Sequence, residues 1–394
     1  MTFGHILFLA LGALAVFGVV TSTIYSLMVA MGVCRFRRRA AAATDASPFL
    51  PPVSVLKPLH GDEPDLEQNL TSFFEQDYPK YEILFCARYS DDAGLAAARR
   101  VAARYPRVQA RILTCGEPPW PNARTFSLEI MRRDARYPIL VTSDSDVRVA
   151  PDYLASVVAP LADPNVGMVT CLYRGVTRHG LWAQLEAMGM SIEMTSGVLV
   201  VEMLEGMQFA LGPCMVMRQS TVEKIGGFEQ VAQYYADDFV LGKWTAASGE
   251  TVVLSTYIVE HHVRNASFSR SVAHQQSWAT STRFSRPLGH FGELLTYAVP
   301  YGLLGLVVFG AAGHLALGLA LLAVTLLDRV LLCMMVASRV VRDRAAFRKA
   351  WLYPLRDLMG FCFWLRSYLG TRQLCYRGDP FELLSKGRLR KLPE

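Results

Sequence analysis

The stretch "ILVTSDSDVRVAPDYL", Ile139 to Leu154, decides how this chain reads. A short apolar run leads straight into Asp144-Ser145-Asp146, two carboxylates one residue apart with no basic residue adjacent to either. Such a pair repels itself unless a positive charge lies against it. The turn at the carboxyl end of a strand is where open α/β sheets place ligands, and oxygen donors of this kind suit Mg2+ or Mn2+. A solvated Asp-rich turn is the plain alternative.

Outward from that turn, residues 51–286 alternate short β-branched runs with longer amphipathic ones. Strands are predicted at 53–57, 81–87, 108–114, 139–142 and 167–172, with helices at 65–74, 95–104, 124–133 and 153–161. This alternation predicts a parallel sheet with helices on both faces. No GxGxxG follows the first strand and there is no P-loop, so neither a dinucleotide nor an NTPase reading has specific support. Acidic stations stand instead where the chain leaves one element for another: Asp91-Asp92, then Asp144 and Asp146, then Asp237-Asp238 in "YYADDFVLGK". Sugar transfer with inversion needs help for a diphosphate leaving group and a carboxylate to take a hydroxyl proton. Three acidic stations fit that division of work.

The chain has 394 residues, of which 52% are hydrophobic and only 19% charged. That balance points to a soluble body with membrane-embedded ends. Residues 6–33 are almost entirely apolar and run into Arg35-Phe36-Arg37-Arg38-Arg39. About 20 apolar residues cross a bilayer, and the charges follow the run instead of preceding it, which argues against a cleaved signal peptide. The positive-inside tendency then puts the N-terminus outside and the next domain in the cytoplasm. A second apolar region, 294–338, reads as a hairpin reversing near 310–314, with Asp328 and Arg329 facing protein or snorkelling. The piece at 353–370 carries Arg356, Asp357 and Arg366 among aromatics and reads as an interfacial amphipathic helix. The net charge of +6 gathers beside these segments, at 35–39, 339–349 and 386–391, as a membrane-surface pattern and not a nucleic-acid face. Eight cysteines show neither CxxC nor zinc-type spacing, and read as thiols in a reducing compartment.

Three segments then match a family: "VSVLKPLHGDEPDLEQNLTSFFEQDYPKYEILFCARYSDD", "SDSDVRV" and "GPCMVMR…IGGFE…YYADDFVLGK". They resemble the ceramide glucosyltransferases of glycosyltransferase family 21. The resemblance implies an α/β fold of the GT-A nucleotide-diphospho-sugar type over 50–286, with an N-terminal transmembrane anchor (1–34) and C-terminal membrane helices. The latter comprise a hairpin (287–338) and a basic cytoplasmic tail (339–394) with the interfacial helix. By the same resemblance Lys57, Pro58 and Leu59 line the nucleotide pocket, Asp92 reads the uracil or ribose, and Arg124 of Asn122-Ala123-Arg124 contacts the diphosphate. Asp144 and Asp146 form the Mg2+ or Mn2+ motif, with Asp146 the direct ligand, and Asp238 is the catalytic base.

Plainer readings stand beside these. Asp91 caps the helix that follows it, Asp237 tunes Asp238 or caps its helix, and Gly226-Gly227-Phe228-Glu229 is a tight turn. The Met-rich stretch 188–207 is half core and half lipid groove. One departure concerns the family's fourth motif, here "HQQSW" from His274 to Trp278: only the Trp is retained, and Ser277 brings no cation. His274, Arg283 or Arg286 would have to substitute, while Trp278, with Asp237 and His274, is assigned to the acceptor and sugar site. The implied activity is inverting transfer of glucose from UDP-glucose to the primary hydroxyl of ceramide at the cytoplasmic face of the bilayer. The rivals are transfer of N-acetylglucosamine or another hexose to a hopanoid or diacylglycerol, and a silent protein that binds UDP-sugar or lipid.

Overall fold

The computed structural model describes residues 3–42, 49–178, 180–263, 267–376 and 379–392. Contacts divide the chain into two units. An α/β unit takes Ala42–Val176, Glu205–Arg264 and Arg372–Glu394, and a helical unit takes Met1–Ala41, Thr177–Leu204 and Asn265–Thr371.

In the α/β unit the strands are β1 (Val53–Pro58), β2 (Tyr81–Ala87), β3 (Gln109–Thr114), β4 (Ile139–Thr142), β5 (Val147–Arg148), β6 (Val166–Val176), β7 (Met215–Arg218) and β8 (Thr251–His262). They form one sheet in the order β3-β2-β1-β4-β7-β6-β8-β5. The first four are parallel, as their intervening helices require. The remainder is mixed: β7 runs antiparallel to both β4 and β6, and β5 antiparallel to β8, while β6 and β8 are parallel. The wholly parallel sheet expected from the sequence is therefore a mixed one. β7 and β5 are four and two residues long, too short for a periodic signal.

Helix Leu66–Phe74 shows why the first half folds as it does. Leu66, Asn69, Leu70, Phe73 and Phe74 recur at helical spacing and are all buried. Phe73 meets Tyr153 edge to face at 5.7 Å, and Phe74 stacks on Phe85 of β2 at 6.0 Å. Burying such rings contributes roughly 1.5–3 kcal/mol each, so this layer anchors the helix on β2 and against Tyr153. In the parallel half the carboxyl ends of β1, β2 and β4 then lie side by side, Leu56 opposite both Leu84 and Thr142.

Arg372–Glu394 contains a three-stranded antiparallel sheet of β9 (Gln373–Tyr376), β10 (Asp379–Leu383) and β11 (Leu389–Lys391). The residues read from sequence as a basic tail at the membrane surface thus belong to the α/β unit, with Arg390 paired to Glu382.

Among the described residues, the helical unit holds three helices long and apolar enough to cross a membrane by length and composition: Gly4–Ala42, Leu181–Glu205 and Leu315–Arg339. Pro287–Leu295 and Val299–Ala311, bent by 46°, form a fourth if taken together. The hairpin expected from sequence is present, with its reversal between Ala311 and Leu315. Leu181–Glu205, whose Met-rich pattern does not announce a span, carries a π-helical turn at Gly189–Met194 and buries Met188 and Met190. Contacts group it, and the Phe268–Ser285 helix, with the apolar helices and not with the sheet, so the 50–286 domain is not a single compact body. The expected Asp328–Arg329 pair does face protein: Arg329 bonds Asp328, Ser26, the Ser22 and Thr296 carbonyls and Asp357. Cys34, Cys86, Cys115, Cys171, Cys214, Cys333 and Cys362 are free thiols.

Candidate active site

The carboxyl ends of β1 and β4 set the floor. Lys57, fully buried at the end of β1, sends its ammonium to the Asp144 carbonyl at 2.6 Å and lies 3.7 Å from the Phe73 ring centroid. Burial lowers its pKa to about 7, against the pull of the Asp144 and Asp146 carboxylates. Pro58 and Leu59 are buried too, with the Leu59 amide donating to Cys86 O at 2.8 Å.

Asn122 begins the next wall by capping helix Ala123–Asp134, its Oδ1 accepting from the Arg124 and Thr125 amides. That cap delivers Arg124 into the cluster. Arg124 Nε donates to Asp144 Oδ1 at 2.8 Å, Nη2 to Gly212 O at 3.0 Å, and Nη1 to Asp237 Oδ2. The positive charge missing beside Asp144 in the sequence is supplied from 20 residues upstream. Asp146 has its own neighbour: β5 pairs with β8 so that His261 Nε2 lies 3.2 Å from Asp146 Oδ2. Nothing near Asp146 in sequence foretells this, although "EHH" at 260–262 marks an unusual strand end. Beside it Glu260 is held down to about 2 by His262 and Arg174.

The third acidic station separates into two roles. Asp237 is buried, with Oδ2 taken by Arg124 and Oδ1 3.4 Å from Asn122 Nδ2. Asp238 is half-buried. Its Oδ2 accepts from the Gly212 amide at 2.6 Å and its Oδ1 from the Phe239 amide at 2.8 Å. Burial first, then the Asp237 charge, raises its carboxyl to about 6. Burial also raises Asp237, against the Arg124 guanidinium. Two glycines permit this arrangement. A Cβ on Gly242 would fall 2.3 Å from the Phe209 carbonyl carbon, so only glycine lets the helix Asp237–Ala247 approach the Phe209–Ala210 backbone. A Cβ on Gly212 would sit 3.2 Å from Asp238 Oδ2 and 3.7 Å from Asp144 Oδ2, so glycine keeps space open between the two carboxylates.

Asp92, the residue expected at the uracil or ribose, is held by backbone amides. Both its oxygens accept from the Gly61 amide, at 3.1 and 3.0 Å, and Oδ1 also from Gly94 at 2.7 Å. The cap assigned to Asp91 is therefore made by Asp92, which also ties down the loop after Leu59.

His274 and Trp278 lie in the helical unit, on the Phe268–Ser285 helix, their rings 4.2 Å apart. His274 Nδ1 pairs with Glu186 at 2.8 Å, and Ser277 donates to the His274 carbonyl. Arg283 lies over the Tyr368 ring and bonds Ser367 O.

The family model described as Glycosyl transferase family 21 matches residues 14–389. The chain belongs to glycosyl transferase family 21. Among curated relatives it is 30% identical over 214 residues to Ceramide glucosyltransferase 1 of Caenorhabditis elegans, covering 54% of this chain and 46% of that one. It is 35% identical over 113 residues to Ceramide glucosyltransferase of Komagataella phaffii, covering 28% and 22%. The chain spans about half the length, or less, of the curated relatives it matches. Among solved structures it is similar to a mannosyltransferase from Pyrobaculum calidifontis in complex with GDP-Man and Mn2+, with TM-score 0.50, 19% identity and coverage of 90% and 99%. That likeness is one of fold, of the GT-A type expected from the sequence.

Among the described residues of this family 21 chain, no three His, Cys, Asp or Glu side chains gather into a metal cage. One or two carboxylates completed by phosphate oxygens is the ordinary Mg2+ arrangement. Asp144 and Asp146 are hard donors, and the space beside Asp144 Oδ2 that a Cβ on Gly212 would fill is open. The donor set fits such a cation.

Proposed function

We propose that this chain is an inverting, metal-dependent glycosyltransferase that moves glucose from UDP-glucose to the primary hydroxyl of ceramide or a related sphingoid lipid at the cytoplasmic membrane face. The observation that carries the reading is the division of labour at Asp237-Asp238. Asp237 is consumed by Arg124 and Asn122, whereas Asp238 is oriented by two backbone amides and has a carboxyl poised at about 6. A base so held can take the acceptor hydroxyl's proton near neutral pH.

Asp144 and Asp146 would hold Mg2+ or Mn2+, which, when bound, neutralises charge developing on the departing diphosphate. Arg124 steadies Asp144 and adds positive potential. Asp92 shapes the nucleotide pocket by fixing the Gly61 loop, and Lys57 and the backbone of Pro58 and Leu59 form its floor. The names of the ceramide glucosyltransferase relatives support glucose and ceramide. Arg35 to Arg39 after the first apolar helix support a cytoplasmic active site. His274 and Trp278 are assigned to the acceptor side.

The test is incubation of the detergent-solubilised chain with UDP-glucose, UDP-N-acetylglucosamine and other UDP-sugars, against ceramide, diacylglycerol and a hopanoid, with products read by mass spectrometry. Glucosylceramide as the main product is expected. A different glycolipid would replace the substrate assignment, and no product with any pair would end the enzymatic one.

A further inference from the structure

Helix Asp237–Ala247 starts without a side-chain cap: Ala236 occupies that position and cannot supply one. The preceding residues, 233–236, have no regular structure beyond one isolated bridge. Something else must hold the entry to the acidic pair, because a base displaced by about 1 Å forfeits roughly a hundredfold in rate.

The C-terminal segment meets that need. Lys386 and Gly387 adopt left-handed backbone, at φ 64° and 77°, and turn the chain out of β10 into β11. Leu389 N then donates to Gln233 O at 2.7 Å, and Tyr235 N donates to Gly387 O at 3.0 Å, with Tyr234 opposite Arg388 as in an antiparallel pair. The Arg388 guanidinium lies 5.7 Å from the Tyr234 ring centroid. The Tyr234 ring meets Trp244, on the acidic pair's own helix, edge to face at 6.0 Å. From the other side, Tyr234 O accepts from Asn122 Nδ2 at 3.0 Å, the residue that also reaches Asp237. The stretch entering the acidic pair is gripped between Asn122 and the last strand of the chain.

We propose that Gly387, Arg388 and Leu389 are positioning residues for the Asp237–Asp238 pair, fixing Gln233–Tyr235 by strand pairing without touching substrate. The catalytic consequence rests on the assignment of Asp238 as base; the structural one does not. Leu389→Pro removes the amide that holds Gln233, whereas Leu389→Val keeps both the amide and an apolar side chain at this buried position. In the 394-residue chain, Leu389→Pro should lower kcat about tenfold to a hundredfold with KM for UDP-glucose within about twofold, and Leu389→Val should stay near the parent. Hydrogen exchange at residues 233–238 should quicken in Leu389→Pro while β1 and β4 stay protected. Should Leu389→Pro unfold the chain, the exposed Arg388→Ala variant decides, with a smaller kcat loss and faster exchange over the same residues. Unchanged exchange at 233–238 in the folded variant overturns the proposal. So does an equal kcat loss in the Pro and Val variants, which would make side-chain packing the cause. If Asp238→Asn keeps full turnover, the base assignment fails, and the exchange result alone judges the positioning claim.

Discussion

Arg124 Nε donates to Asp144 Oδ1 at 2.8 Å, so the helix that follows Asn122 neutralises the acidic turn after β4. The same guanidinium holds Asp237, and an Asp-x-Asp turn and an Asp-Asp pair more than 90 residues apart thereby become one electrostatic unit.

Removing the hub should expose that coupling. Arg124→Ala leaves the buried Asp237 carboxylate uncompensated and should destabilise the chain by about 3 kcal/mol, whereas Arg124→Lys keeps charge but cannot bridge three acceptors. The double variant Arg124→Ala/Asp237→Asn should be more stable than Arg124→Ala alone, because the orphaned charge is gone. Thermal unfolding in detergent reads the order; an Arg124→Ala variant as stable as the parent would contradict it.

The turn after β4 should act through its charge. Asp146→Asn removes a hard oxygen charge beside His261 and should abolish the divalent-cation dependence of UDP-glucose binding, with the fold retained by circular dichroism. Calorimetric titration of UDP with and without Mn2+ checks this, and an unaltered Mn2+ effect would remove Asp146 from the metal site.

A pH dependence follows from Asp238. Its carboxyl is raised to about 6, so below that pH the group is protonated and cannot accept, and above it the carboxylate is available. The rate at saturating substrate should climb with pH through about 6 and then level. A flat rate across that range would contradict the assignment.

Much of this was legible beforehand, for identifiable reasons. The βα alternation up to β4 showed because each helix, like Leu66–Phe74, buries a clear face. The acidic stations showed because strand ends with paired carboxylates have little packing value. The short antiparallel strands did not, and with them went His261, which reaches Asp146 only through the β5–β8 pairing. Arg124 was placed near the diphosphate, but its partner Asp237 could not be foreseen because the two meet only in the folded cluster. The pairing within the basic tail did not show, because β9, β10 and β11 are only four, five and three residues long. Asp91 and Asp92 were interchangeable in sequence; only the Gly61 and Gly94 amides distinguish them.

The central claim is that Asp238, and not its neighbour, takes the proton, and parallel assay of Asp238→Asn and Asp237→Asn tests it most directly, with UDP affinity measured on the same preparations. Asp238→Asn should lose about 100- to 10,000-fold in turnover while binding UDP normally. Asp237→Asn should keep more turnover and lose mainly stability, because its carboxylate serves Arg124. Loss of turnover in Asp237→Asn with Asp238→Asn spared would move the base by one residue, and turnover spared in both would mean the chemistry lies elsewhere.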